Sequence, residues 1–232
     1  MLPLKDLNPT RSRPYVTWLL IALNALVFML ELGLDSIGEL DSFLFTYGLV
    51  PAAFTANPVS FELATVFTSM FLHGGVAHLL GNMLYLWIFG DNIEERLGHG
   101  RYLLFYLVGG VAAAAAQIAV DPQSPVPMVG ASGAIAAVLG GYLLEYPHAK
   151  IRTLLILGYL IRFVHVPAVV VLGFWFLLQF FSGFMALSVT AAGGGVAYFA
   201  HIGGFVAGVV LIKLVAAGRP KQMYWDGRRF RS

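Results

Sequence analysis

The sequence contains no cysteine and few charged residues, and each shortage excludes a class of chemistry. Without cysteine the chain forms no disulfide, no thiolate nucleophile and no cysteine-ligated metal site. Charged residues make up 11% of the 232 residues, whereas soluble domains carry about 25%. Hydrophobic residues make up 59%, and the mean hydropathy is +0.79. The sequence therefore predicts a membrane protein with several spans.

Several common motifs are also missing. The chain has no HExxH zinc motif and no basic stripe typical of nucleic-acid binding. His73 and His78 are five residues apart and diverge on a helix, and no nearby carboxylate completes a metal site. The nucleophile elbow GxSxG of soluble hydrolases is absent, because Ala134 stands two residues after Ser132. The sequence therefore predicts no metal site and no nucleic-acid partner.

Six apolar segments are predicted to cross the membrane as helices, which gives an all-α polytopic fold. They cover residues 15–34, 76–93, 102–120, 132–146, 167–187 and 196–215. The first is long enough to span and is not followed by a small-residue cleavage site, so it is not a signal peptide. The predicted organisation is an N-terminal segment (1–14), a membrane domain (15–217) and a basic tail (218–232).

The connections between these spans differ in character. The first, residues 35–75, is apolar but broken by Gly48, Pro51 and Pro58, so we expect it to be partly helical and to lie in the membrane interface. Residues 147–165 mix charged and apolar side chains and are expected to lie along the membrane surface. Residues 188–195 are rich in glycine and predict a flexible loop.

The distribution of lysine and arginine predicts the orientation. Three of the 14 precede the first span, two follow the second, three follow the fourth, and six lie at the end of the sixth span and in the tail. The three connections on the opposite side contain none. By the positive-inside rule both termini face the cytoplasm.

Four polar residues inside the spans need an explanation, because polar groups in a bilayer are costly. They are His78, Asn82, Ser132 and His201. The second, fourth and sixth spans all run inward from the outer face, and each residue lies near the start of its span. His201 lies roughly 9 Å below the start of the sixth span. All four can therefore share one layer in the outer half of the membrane.

The spacing within each span shows how these residues could meet. His78 and Asn82 are four residues apart and project from one helix face. Gly204 and Gly208 lie on nearly the same face as His201 and allow a neighbouring helix to approach closely. If that neighbour is the fourth span, Ser132 and His201 can form a hydrogen bond, which would activate the hydroxyl as a nucleophile. His78, Asn82 and the Ser132 backbone N–H could then bind an oxyanion.

Each residue also has a structural interpretation. Ser132 could be one of the small residues that let membrane helices pack closely. His78 or His201 could form an interhelical hydrogen bond that holds the bundle, and Asn82 taken alone is more often structural. A transporter or proton pathway is another alternative, but it would need polar residues through the inner half of the membrane, where the sequence has almost none.

Three motifs resemble the rhomboid family of intramembrane serine proteases. They are HGGVAHLLGNM (73–83), GASGA (130–134) and AHIGGFVAG (200–208). The resemblance extends over nearly the whole chain and implies a rhomboid-like six-helix bundle with a long first loop.

The resemblance implies a role for each matching residue. Ser132 would be the nucleophile and His201 its general base, in a dyad without a third acid. His78 and Asn82 would be oxyanion donors. The glycines would allow close packing near the site: Gly130, Gly133, Gly204 and Gly208. Glu94 and Arg96 match the ExR pattern that closes the second span.

The resemblance also implies what the protein acts on. The family cleaves transmembrane segments of other membrane proteins within the lipid bilayer, without metal or cofactor. A non-catalytic member that binds or escorts membrane segments is the alternative, but binding alone would need neither Ser132 nor His201. With no appended domain or organelle-targeting segment in the sequence, we expect the plasma (inner) membrane of a prokaryote.

Two features depart from the family pattern. Many members carry an aromatic residue four positions after the serine, stacked under the histidine, whereas this chain has Ala136. We therefore expect a residue of another span to hold the His201 ring. Many members also carry a Trp-Arg pair in the first loop, and residues 35–75 contain none.

Overall fold

The computed structural model describes residues 1–58, 60–187, 196–218, 224–225 and 230–231. Its described helices are α1 (Tyr15–Asp35), α2 (Leu40–Tyr47), α3 (Pro51–Ala56), α4 (Ser60–Thr68), α5 (Val76–Leu97), α6 (His99–Val120), α7 (Ser132–Glu145), α8 (Ala168–Leu187) and α9 (Tyr198–Val215), with a 3₁₀ turn at Ser69–Phe71. Its described strands are β1 (Leu2–Asp6), β2 (Lys150–Leu157), β3 (Leu160–Pro167), β4 (Tyr224–Trp225) and β5 (Phe230–Arg231).

Four of the described helices are long and apolar enough to cross a membrane: α1, α6, α8 and α9. A fifth span results if Phe61–Phe71 and Val76–Leu97, which meet at a bend of 81°, are counted together. Helix α7 has 14 residues and is about 21 Å long, less than the roughly 30 Å of a hydrocarbon core. The structure is thus a mostly helical membrane protein, and the count of six spans stays a prediction.

The helices alternate in direction and bring their charged ends together. Glu94, near the end of α5, accepts hydrogen bonds from the backbone N–H groups of Val16 and Thr17 at the start of α1. Arg96 pairs with Glu145 at the end of α7, with 2.6 Å between Nε and Oε2. The Glu94 and Arg96 of the ExR pattern therefore tie α5 to α1 and α7 at the end of the bundle opposite Ser132.

A three-stranded antiparallel sheet corrects the all-α expectation. Strands β2 and β3 form a hairpin over residues 150–167, and β1 pairs with β2 along its other edge. The two-residue turn begins at Gly158, whose φ is +59°, a conformation that suits glycine. The flanking residues are mostly β-branched, leucine or aromatic, which favours strands. The surface segment predicted at 147–165 is therefore largely this hairpin.

The centre of the bundle is α7. Every residue from Ala134 to Tyr142 is buried, and small side chains let α6 and α9 pack directly on its backbone. A Cβ atom on Gly140 would overlap the Phe205 carbonyl oxygen of α9, and one on Gly109 of α6 would overlap the Ala137 side chain. Neighbouring helices thus fix the position of the first residue of α7, Ser132.

Two predicted segments fall mainly on residues that the structure does not describe. The predicted loop at 188–195 lies wholly outside the described residues. In the tail, the described pairs 224–225 and 230–231 form an antiparallel ladder. The first loop, residues 35–75, contains α2, α3, α4 and the 3₁₀ turn, and its placement in the membrane interface stays a prediction.

Candidate active site

Ser132 and His201 meet between two helices. The Ser132 Oγ lies 2.7 Å from the His201 Nε2, within hydrogen-bond distance. Ser132 is the first residue of α7, and His201 lies in the first turn of α9. Because both side chains are partly exposed, the pair is neither sealed in the protein core nor fully in solvent.

Glycine makes this approach possible. A Cβ atom on Gly204 would overlap the carbonyl oxygen of Gly133, and a Cβ on Gly208 would overlap that of Ala137. Helices α7 and α9 therefore touch backbone to backbone just below Ser132. The close neighbour that the spacing of Gly204 and Gly208 predicted is α7, the helix that begins with Ser132.

The loop before Ser132 is held in a conformation that favours glycine. Gly130 has a φ of +125°, and its N–H donates to the Ser69 carbonyl oxygen at 2.9 Å. A Cβ atom there would lie 2.7 Å from the His78 Nε2 and 3.5 Å from the Ser132 Oγ. The His78 imidazole and the Ser132 hydroxyl therefore flank the same glycine.

The first loop of the chain supports this arrangement. Leu49 and Met128 exchange two backbone hydrogen bonds, of 3.1 and 2.8 Å. The segment that leads into Ser132, residues 121–131, is thus hydrogen-bonded to the first connection, residues 35–75. The unpaired N–H groups at the start of α7 carry partial positive charge and point toward this corner.

A small cavity opens beside the serine. Its volume is about 40 Å³, and its lining includes Ser132, Ser69, Gly130 and Ala200. Since one water needs about 10–15 Å³ of such space, the cavity has room for about three or four waters. Water can therefore stand next to the Ser132 hydroxyl.

Asn82 makes a different contact from the one that the sequence suggested. Its Nδ2 donates to the His73 Nε2 at 2.9 Å. The His73 ring is fully buried and lies 5.0 Å from the His78 ring, centroid to centroid. The His73 backbone N–H donates to Glu31 Oε1 of α1 at 2.9 Å. An amide has two N–H groups, so the His73 contact occupies one of them.

The comparisons with known proteins agree with the motifs. Residues 60–218, more than half of the chain, match the family model described as "Rhomboid domain". The chain belongs to the rhomboid family. It is an integral membrane protein of that family, with the apolar helices described above.

Curated relatives of this rhomboid include a named protease. The chain is 30% identical to "Rhomboid protease GluP" of Bacillus subtilis (strain 168) over 210 residues, which are 90% of this chain and 36% of that protein. It is 27% identical to "Rhomboid protein 1, mitochondrial" of Saccharomyces cerevisiae, over 93% of this chain and 58% of that protein. It is 32% identical to "Rhomboid-related protein 2" of Mus musculus, over 78% of this chain and 58% of that protein. The chain therefore spans between about a third and three fifths of these relatives.

Two side chains of α8 contact the His201 ring of this rhomboid, and sequence reasoning did not assign either contact. The Trp175 ring lies 5.9 Å from the imidazole, centroid to centroid, with 38° between the planes. Gln179 Oε1 accepts a hydrogen bond from His201 Nδ1 at 2.8 Å. The position four residues after the serine is the fully buried Ala136. The ring is thus held from another helix, and the one signal for Gln179 in the sequence is that it is the one amide in apolar α8.

The described residues of this rhomboid include no group of three or more histidine, aspartate or glutamate side chains placed to hold a metal ion. Two further histidines of the sequence, His99 and His165, lie away from the pair. His99 contacts Glu94 at the opposite end of the bundle, with 2.6 Å between Nδ1 and Oε1, and His165 lies in β3 opposite Arg152. The described polar cluster at Ser132 is built from serine, histidine, asparagine and glutamine.

Proposed function

We propose that this protein is an intramembrane serine endopeptidase that cleaves transmembrane segments of other membrane proteins through a Ser132–His201 dyad. The observation that carries the proposal is the 2.7 Å contact between the serine Oγ and the imidazole Nε2, next to a cavity that admits water. Membership of a family with a named protease supports the reaction class.

In the first half of the reaction the enzyme is acylated. The Ser132 Oγ attacks the carbonyl carbon of the substrate peptide bond, and its proton passes to the His201 Nε2. The carbonyl oxygen becomes an oxyanion in a tetrahedral intermediate. The imidazolium then donates its proton to the leaving nitrogen, the C–N bond breaks, and an acyl-enzyme ester remains on Ser132.

The oxyanion forms at the start of α7. The Ser132 backbone N–H lies among the unpaired donors of the first turn, where partial positive charge favours an anion. His78 flanks the same corner across Gly130 and is proposed as the side-chain donor. Asn82 is proposed as a second donor through the amide hydrogen that its contact with His73 leaves over.

In the second half, water takes the place of the serine hydroxyl. A water molecule in the cavity beside Ser132 gives a proton to His201 Nε2 and attacks the ester carbonyl carbon. The imidazolium returns that proton to the Ser132 Oγ as the ester bond breaks. The products are a carboxylic acid and an amine, and the free dyad is restored without a metal or cofactor.

Substrate is proposed to approach from the lipid past α8. This helix carries a row of exposed apolar side chains, among them Phe174, Leu178 and Phe181, while Trp175 and Gln179 on its other side contact His201. A transmembrane segment that displaces α8 would come directly to the dyad. The partners are therefore membrane proteins and the surrounding lipids.

The orientation with both termini in the cytoplasm is also a proposal. It is supported by the lysine and arginine pattern, and it places Ser132 in the half of the membrane that faces away from the cytoplasm. Location in a prokaryotic plasma membrane stays a prediction, since the relatives include a mitochondrial protein.

The decisive experiment compares Ser132→Ala and His201→Ala with matched controls. Ser36→Ala and His148→Ala change an exposed serine and an exposed histidine far from the pair. We expect the first two variants to lose cleavage of a transmembrane reporter and labelling by a fluorophosphonate, and the controls to keep both. Undiminished cleavage by purified Ser132→Ala would overturn the proposal, and reporter binding without cleavage by the unmodified protein would favour an escort.

A further inference from the structure

The His201 imidazole has two ring nitrogens, and each faces a polar atom from a different helix. Nε2 lies 2.7 Å from the Ser132 Oγ of α7, and Nδ1 lies 2.8 Å from the Gln179 Oε1 of α8. We propose that Gln179 is a positioning residue, which fixes the tautomer and orientation in which His201 can accept the serine proton. The inference rests on the proposed protease function and adds a third member to the dyad.

The argument begins with the tautomer. A neutral imidazole has one N–H donor and one acceptor nitrogen. The Gln179 carbonyl oxygen can only accept, so the proton must sit on Nδ1. Nε2 is then the unprotonated nitrogen that faces the Ser132 hydroxyl, as a general base requires. With the other tautomer the Gln179 oxygen would face an unprotonated Nδ1 and lose its donor, while Nε2–H would donate to the Ser132 oxygen and could not accept its proton.

The position of Gln179 in the sequence supports a specific contact. It is the one amide among the 20 residues of α8, which are otherwise almost entirely apolar. An amide in an apolar region costs free energy unless it is hydrogen-bonded. Its oxygen faces the one imidazole of α9, so the contact with His201 offsets that cost.

Trp175 adds a second constraint from the same helix. It precedes Gln179 by four residues and therefore lies on the same face of α8. Its ring is 5.9 Å from the His201 ring, whereas the position four residues after the serine is Ala136, which has no ring to stack. The ring is thus flanked by Trp175 and bonded at its edge by Gln179, and both belong to α8.

This arrangement couples the base to the position of α8. When α8 moves away to admit a substrate, the acceptor on Nδ1 leaves with it, and His201 is free to rotate or change tautomer. When α8 returns, the imidazole is fixed again and the serine can react. The dyad is therefore complete only with α8 packed against α9.

The test compares three variants in the full chain. Gln179→Met removes the acceptor but keeps an unbranched side chain of similar length. Gln179→Glu keeps an acceptor and adds a negative charge that stabilises the imidazolium. Leu104→Ala, at an exposed apolar position of α6, is the control. The readouts are kcat and KM on a transmembrane reporter, the pH profile, and the ¹⁵N spectrum of the His201 ring.

For Gln179→Met we expect kcat to fall about tenfold, the worth of one hydrogen bond, with little change in KM. In the ¹⁵N spectrum the wild-type ring shows the proton on Nδ1, and Gln179→Met shows a mixture of tautomers. At high pH, Gln179→Glu keeps a kcat close to that of the wild type. The acid limb of its pH profile moves up by about one pH unit, because the carboxylate favours the protonated His201 ring. The titratable group that faces His201 from another helix is His78 of α5, which is the same in all variants.

The outcomes separate this inference from the protease proposal. An active wild type with unchanged kcat and an unchanged acid limb in Gln179→Met would overturn the positioning role and leave the protease intact. An inactive wild type would overturn the protease, while the ¹⁵N spectrum still shows whether Gln179 fixes the tautomer. If Gln179→Met fails to fold, Gln179→Glu decides by its pH profile, and an acid limb like that of the wild type contradicts the inference.

Discussion

The Glu94 carboxylate caps the first turn of α1 through Thr17. Its Oε2 accepts both the Thr17 backbone N–H at 2.8 Å and the Thr17 hydroxyl at 2.7 Å, and its Oε1 accepts the Val16 N–H at 2.8 Å. The carboxylate is buried, at 1% exposure. An anion at the N-terminus of a helix satisfies donors that would otherwise be unpaired. Three donors in the first turn of α1 therefore share one side chain of α5.

Replacing that carboxylate should unfold the junction. In Glu94→Gln an NH₂ group must face an N–H donor, so at least one buried donor loses its acceptor. We expect a loss of about 2–4 kcal/mol in the free energy of unfolding, measured as a lower melting temperature in detergent. The exposed Glu39→Gln is the control, and equal melting of both variants would contradict the capping role.

The backbone contact between α7 and α9 should not tolerate a methyl group. In Gly208→Ala the new Cβ meets the Ala137 carbonyl, which forces the helices apart and costs about 1–3 kcal/mol. The same displacement separates Ser132 from His201, so fluorophosphonate labelling should fall together with the melting temperature. Gly81→Ala on α5 has open space at its Cβ and should label like the wild type. Normal labelling of Gly208→Ala would show that the helices can separate without disturbing the pair.

Asp6 should make stability depend on pH. Burial, and then the nearby Asp91, raise its pKa from 3.8 to about 8, although the Tyr142 hydroxyl donates to it at 3.0 Å. The folded protein therefore holds a proton that the unfolded chain releases above about pH 4. The contribution of Asp6 is fully present below that pH and is lost as pH rises to 8, by up to about 1.4 kcal/mol per pH unit.

The measurement is the melting temperature in detergent at pH 5, 7 and 9. The wild type should lose stability over this range relative to Asp6→Asn, because asparagine has no proton to release but keeps an oxygen that accepts from Tyr142. Parallel curves for the two proteins would mean that Asp6 titrates alike in the folded and unfolded states.

The absence of cysteine allows a disulfide test of α8 movement. A Cβ atom on Gly183 of α8 would lie 3.1 Å from the Tyr198 Cβ of α9, about 0.4 Å below the lower end of the range found in disulfides. We expect the oxidised Gly183→Cys/Tyr198→Cys variant to cleave a transmembrane reporter about tenfold more slowly, because the proposed substrate path requires α8 to move. Its labelling by a small fluorophosphonate should stay close to that of the reduced form.

Reduction is the internal control for this variant, and each single cysteine variant controls for the substitutions themselves. Cleavage should return when the disulfide is reduced. Full reporter cleavage by a protein shown to be crosslinked would rule out access past α8.

The sequence predicted the Ser132–His201 neighbourhood because helical geometry carries that information. A period of 3.6 residues places Gly204 and Gly208 on the face of His201, and glycines at that spacing need a close partner. The glycine contacts with Gly133 and Ala137 follow directly from this pattern. Spacing within α9 thus predicted a close neighbour on the His201 face, and the structure identifies that neighbour as α7.

What the sequence did not predict depends on tilt, rotation and distant pairing. Gln179 meets His201 only because of the way α8 is turned about its axis, and one amide does not reveal that rotation. Asn82 of α5 contacts His73, which lies outside that helix. Strand β1 pairs with a segment about 150 residues later, with Leu2 opposite Leu154, and no local sequence pattern predicts such a distant partner.

The short length of α7 has a consequence for which bonds can be cut. Glu145 is anchored to Arg96 at one end of the bundle, and 14 residues reach only about 21 Å from there. The outer helices α1, α6 and α8, with 20 to 22 residues, match a hydrocarbon slab of about 30 Å. With the Glu145–Arg96 pair level with one edge of the slab, the proposed nucleophile, the Ser132 hydroxyl, would lie about 9 Å beneath the other edge. For the proposed protease, a change in lipid thickness would then shift which peptide bond of a substrate helix lies level with Ser132.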